Sequence, residues 1–158
     1  MRLRVVRSRA LGATLAAALL IACGSSDEER AAARAEAIDV VESFGTRLAH
    51  VNLLVGDRAQ LTNDIRDTYG PYVTTLLLGG WMSDLRSAPG RETSSPYPAR
   101  IEVRETIPVG ESAFDVTGDI VYVTNVDGDP VLRQPIRARV VRGPDDVWRI
   151  SEFVKTAQ

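Results

Sequence analysis

The sequence predicts an α+β domain, with three N-terminal helices packed on a curved four-stranded antiparallel meander. Three observations predict it. Apolar residues from Ile38 to Leu85 recur at intervals of three or four, the period of a helix with one buried stripe. From Ile101 the period changes to two, the period of a strand with one buried face. Asp127-Gly128 and Gly143-Pro144-Asp145-Asp146 are turn signals, and they divide the alternating region into consecutive hairpins.

The first helix is expected over about residues 28–52. Ser26 and Glu29 have capping-box spacing, Ala31, Ala32, Ala33, Ala35 and Ala37 are strong helix formers, and Ile38, Val41, Phe44, Leu48 and Val51 draw one stripe. Residues 24–34 are polar enough to form a linker instead, and both readings stand. Gly56-Asp57 opens a second helix carrying Leu61, Ile65 and Tyr69. Gly70-Pro71 ends it, with glycine expected in the left-handed conformation. Thr74 or Thr75 caps a third helix with Leu77, Trp81, Met82 and Leu85, and Gly79-Gly80 inside it suggests a kink or a close backbone approach. Residues 86–98 read as a loop in which Pro96 and Pro98 stiffen the backbone around Tyr97.

Four strands follow. The inward sets are Ile101, Val103 and Ile107; Phe114, Val116, Ile120 and Tyr122; Leu132, Ile136, Ala138 and Val140; and Trp148, Ile150 and Val154. Gly118 marks a bulge or bend, and beyond it Val121 and Val123 suggest burial on both faces. Asp115 and Asp119 are expected to pair across the sheet with the arginines of the third strand.

Ahead of the domain, Arg2, Arg4, Arg7 and Arg9 precede an apolar run from Ala10 to Ala22, which is too short for a spanning helix of about 20 residues. The run closes on Leu20-Ile21-Ala22-Cys23, with the chain's one cysteine. This segment resembles a bacterial lipoprotein signal peptide ending in a lipobox. The resemblance implies that residues 1–22 are cleaved and that Cys23 receives a diacylglyceryl thioether. Residues 23–30 are then a lipidated N-terminus with a short tether, and 31–158 a single domain. Two acyl chains suffice for stable attachment at about 0.8 kcal/mol per buried methylene. The expected location is the extracytoplasmic side of a membrane, with plasma and outer membrane both open.

The mature chain carries 15 Lys+Arg against 21 Asp+Glu, a net −6. Such a domain gains nothing from an anionic bilayer and lacks the basic footprint of a nucleic-acid binder. With the thiol lipidated, neither a disulfide nor a thiolate metal site is expected, and no metal or cofactor is expected elsewhere.

The order of elements, together with Val147-Trp148-Arg149-Ile150 as a closing strand, resembles the cone-shaped nuclear transport factor 2-like superfamily over about residues 30–156. The extra hairpin common near its second helix has no counterpart in this sequence. The resemblance implies a cone that holds a ligand or a catalytic pair. In enzymes of that superfamily, carboxylate, tyrosine or histidine groups inside the cone do acid–base work. The residues here that could match are His50, Asp64, Asp67, Tyr69, Tyr72 and Tyr122. His50 near a helix end is explained by the last carbonyls and the negative dipole end it meets there, and the two aspartates on a polar helix face by solvation, so no catalytic residue is assigned. Tyr72, Trp81 and Tyr97 are the candidate binding residues, expected to form one contact surface because amphipathic rings suit partly wet interfaces. The function expected is a lipid-anchored binding or scaffold domain whose partner is an envelope protein or a small apolar ligand. The alternative is a cone enzyme of isomerase, dehydratase or cyclase type. A cone filled by Phe44, Leu48, Trp81, Phe114 and Trp148 favours the first, and a deep pocket with a buried carboxylate or histidine favours the second.

Overall fold

The computed structural model describes residues 22–54, 56–126 and 128–156, with side chains from residue 26 onward. Residues 1–21 and the side chain of Cys23 therefore lie outside the described residues, as does Asp127. Three helices, α1 (Ala22–Gly45), α2 (Arg58–Tyr69) and α3 (Thr75–Ser83), pack against one antiparallel sheet. Its strands β1 (Tyr97–Pro108), β2 (Ala113–Val123), β3 (Leu132–Arg142) and β4 (Trp148–Lys155) lie in the order β1-β2-β3-β4. The class is α+β with a simple meander, as the change of period predicts.

Helix α1 starts earlier and stops earlier than the spacing suggests. Residues 24–34 are helical, and Ser26 is an interior residue of the helix and not its cap. The helix ends at Gly45 because it crosses β1 there: a Cβ on Gly45 would stand 2.4 Å from the Ile101 amide nitrogen. Leu48 and Val51 stay on the apolar stripe because a short 3₁₀ turn, Leu48–His50, follows and keeps them fully buried. In α2, the Asp57 carboxylate accepts from the amides of Ala59 and Gln60, which is the N-cap the sequence indicates. Gly70 keeps right-handed helical angles, a departure from the left-handed expectation. Thr74 caps α3. Gly79 and Gly80 lie in regular helix with open space around them, so no other backbone approaches there.

The sheet's inner face carries Ile101, Val116, Ile120, Ile136, Ala138, Val140 and Ile150, which meet Val41, Phe44, Leu61 and Ile65 from the helices. Two aromatic groups fill the layer between them. Phe44 sits among Tyr69, Trp81 and Phe153 at ring separations of 4.9, 6.0 and 5.4 Å, and Phe114 meets Trp148 at 5.4 Å. The segment between α2 and α3 is pinned to the free edge of β4, where the Ile150 amide donates to Tyr72 O and the Thr74 amide donates to Ile150 O, both at 2.9 Å. The other edge, β1, is a poor template for strand addition. It has charged residues, a proline at its end and register shifts at Pro98/Arg100 and Val103/Glu105. The irregularity expected at Gly118 thus falls on its neighbour β1. Gly118 itself permits close approach, since a Cβ there would lie 2.5 Å from the Glu102 carbonyl oxygen.

The outer face of the sheet is an ion-paired lattice. Asp115 pairs with Arg139 directly across β3, as expected. Asp119 does not follow, because Pro135 stands opposite it in β3; it pairs instead with Arg104 of β1 at 2.8 Å. Glu102 holds both Arg100 and Arg133. Val121 and Val123 are buried on this face, flanked in register by Arg100, Arg133 and Tyr97, whose apolar parts can cover them.

These contacts fix how stability responds to pH. Hydrogen bonds from Arg133 and Arg100 hold the Glu102 carboxyl below its ordinary range. A bond from Arg139 does the same to Asp115, and one from Arg149 lowers Asp145 to about 2. Burial pushes the Tyr69 phenol up, and burial together with Glu92 raises Tyr122. Depressed carboxylates give stability that is present above their unfolded values near 4 and is lost as pH falls toward about 2. Raised phenols give no penalty below pH 10 and lower stability as pH climbs above it, because the unfolded chain releases the proton first. The urea midpoint is therefore expected to be level between about pH 5 and 9 and to fall on both sides. Tyr69→Phe should flatten the alkaline limb. An alkaline limb unchanged in Tyr69→Phe would contradict the burial of that phenol.

Candidate functional site

The interior between helices and sheet is occupied by apolar and aromatic side chains. Among the described residues Asp119 is the one buried charged side chain, 6 % exposed, and it belongs to the ion-paired outer face. The buried Tyr69 hydroxyl donates to the Pro89 carbonyl oxygen at 2.6 Å. Phe44, Leu48, Trp81, Phe114 and Trp148, the residues expected to fill the interior, are all buried. No group of three His, Cys, Asp or Glu among the described residues could hold a metal ion. Two surface grooves are open among the described residues.

One groove, of about 300 Å³, lies where the end of α1 meets the end of α2. Its walls are Arg47 and His50 on one side and Asp67, Thr68, Pro71 and Tyr72 on the other. Arg47 Nε donates to the Tyr72 hydroxyl at 3.1 Å, and the Tyr72 ring lies 6.5 Å from Phe44. The ring is thus held between the core and a guanidinium, while His50 and Asp67 reach into solvent.

The other groove, of about 510 Å³, lies between the exposed half of α1 and the turn joining β3 to β4. Ala35, Glu36, Asp39 and Val40 form one wall, and Asp146, Val147 and Trp148 form the other. The turn holds its shape through a bond from the Gly143 amide to Val147 O at 2.9 Å, with Asp146 at φ 63°, a left-handed conformation that aspartate tolerates. That geometry leaves Val147 43 % exposed at the mouth, while Trp148 just below it is 4 % exposed. Arg142 binds Asp146 at 2.8 Å and places its guanidinium 5.9 Å from the Trp148 ring centroid.

The three rings expected to share a contact surface differ in burial and in the element that carries them. Trp81, 4 % exposed, is part of the aromatic core with Phe44 and Tyr69, because α3 turns that face toward the sheet. Tyr72 lines the smaller groove. Tyr97 is the first residue of β1, opposite Val123, with Arg91 5.4 Å above its ring. His50, read from the sequence as meeting a helix end, and Asp67, read as solvated, do flank Tyr72. Arg47 escapes a sequence reading because its partner lies 25 residues away. The acidic wall of the larger groove reads in sequence as an ordinary polar helix face. Glu36 and Asp39 are three residues apart, and that spacing is the one available signal that they share a side.

Comparison with protein-family models, with curated proteins and with solved structures finds no match for this chain.

Proposed function

We propose that the chain is a lipid-anchored, extracytoplasmic binding or scaffold domain of the bacterial cell envelope, built on a cone of the nuclear transport factor 2-like kind. The observation that carries this reading is the filled interior, in which two aromatic groups occupy the space where a cone enzyme would keep its substrate. Recognition then belongs to the surface, where Tyr72 and the acid-lined groove are open. Among the described residues no helix is long and apolar enough to cross a membrane. In this reading the acyl chains on Cys23 provide the attachment.

Helix α1 gives the anchor a mechanical role. It runs unbroken from Ala22, and residues 26–32 are exposed on every side before Ala33 first packs on the core. Twelve residues separate Cys23 from Ala35, a helical rise of about 18 Å. The lipid is thereby coupled to the domain by a helix and not by a loose tether.

Cys23→Ser is expected to abolish incorporation of a labelled fatty acid, leaving the precursor at full length. Wild-type protein should partition into the detergent phase and the labelled band should run at the mature size. Uptake of label by Cys23→Ser, or detergent partitioning of a processed Cys23→Ser chain, would overturn the anchor.

A further inference from the structure

We infer that the groove between α1 and the β3–β4 turn is a docking site for a basic peptide segment of a protein partner, one carrying Lys or Arg beside aliphatic side chains. Its partner class deepens the binding reading above, and the peptide chemistry stands without the lipid.

The groove joins two chemistries. Ala35, Val40 and Val147 make an apolar strip, and Val147 is held at the mouth with nearly half its surface in water. Glu36 and Asp39 line the helical wall and have no ion pair among the described residues. Asp115 and Glu102 on the sheet and Asp145 in the β3–β4 turn, by contrast, each hold an arginine. Two like charges one helical turn apart beside an apolar strip repel each other, and a cation placed between them relieves that repulsion. The opposite wall already holds a cation in this manner, since Arg142 sits between the Asp146 carboxylate and the Trp148 ring. A partner's Lys or Arg would meet the Glu36 and Asp39 carboxylates, and its neighbouring aliphatic residue would cover Val147.

A second observation favours a peptide over a bare cation. Trp148 lines the groove, and its buried indole N–H has no acceptor among the described residues. A peptide backbone brings carbonyl oxygens along with its charges, and a small shift of Val147 would let one of them accept that proton. A volume of about 510 Å³ admits a few side chains and not a folded domain.

The test uses the protein as extracted from membranes, in detergent. A synthetic ten-residue peptide alternating Lys or Arg with Leu or Val is titrated in, followed by calorimetry and by tryptophan fluorescence. A peptide with Glu in place of each basic residue is the comparison. Saturable binding of the basic peptide is expected, with a Trp148-dependent fluorescence change. Binding should weaken about tenfold or more on raising salt, and again in the doubly reversed Glu36→Lys/Asp39→Lys protein, whose thermal melt should be unchanged. Asp67→Lys, in the other groove, should leave binding as it was. Equal binding of the acidic peptide, no response to Glu36→Lys/Asp39→Lys, or equally tight binding of a simple alkylammonium ion would each overturn the proposal. So would a dimer of this chain whose formation excludes the peptide. The mass of the extracted chain reports separately on the anchor, so failure of peptide binding and failure of lipidation are read apart.

Discussion

Phe44→Ala is expected to cost about 3–5 kcal/mol of folding stability, most of the margin of a domain with about 5–15 kcal/mol to lose. Phe44 is fully buried on α1 and is the shared neighbour of Tyr69, Tyr72, Trp81 and Phe153. Its removal opens a cavity that rigid rings cannot close by small rotations, so the cavity penalty adds to the lost transfer energy. It also breaks edge and stacked ring contacts, each contributing about 0.5–1.5 kcal/mol beyond area burial. Phe44→Leu keeps most of the volume and should cost less, about 1–2 kcal/mol. Urea unfolding followed by circular dichroism measures both. A loss under about 1 kcal/mol for Phe44→Ala would place α1 off the sheet.

Trp148→Ala is expected to cost a similar amount, about 3–5 kcal/mol, from the opposite end of the core. Trp148 begins β4, packs on Phe114 and supports the wall of the larger groove. Its indole N–H has no acceptor among the described residues, so the ring contributes through burial and its contacts with Phe114 and Arg142, and the orphaned donor works against it. Trp148→Phe removes that donor and part of the ring. It should cost under about 1.5 kcal/mol, well below the alanine variant. Equal losses for the two would mean that the indole N–H does find a partner and that the wall is built differently.

Much of the architecture is legible from spacing. The switch of apolar period near Ile101 locates the boundary between helices and sheet, and Asp57 and Thr74 cap α2 and α3 where the chain says they should. The departures have local physical causes. The stripe through Leu48 and Val51 hides the end of α1, because a 3₁₀ turn preserves the buried side after Gly45 has ended the helix. Asp119 looks like the twin of Asp115, yet a proline across the ladder hands it to a different strand. Trp81 looks like a surface anchor by composition, and the direction in which α3 faces makes it core. The grooves were the least legible. Each is made by segments far apart in the chain, Arg47 with Tyr72 and Asp39 with Val147, and no local pattern announces such meetings.

The intact mass of the protein extracted from its native membranes tests the central proposal most directly. The expected mass is that of a chain beginning at Cys23 and carrying a diacylglyceryl group. A mass corresponding to a chain beginning at Met1, or to an unmodified cysteine, would contradict a lipid-anchored binding domain.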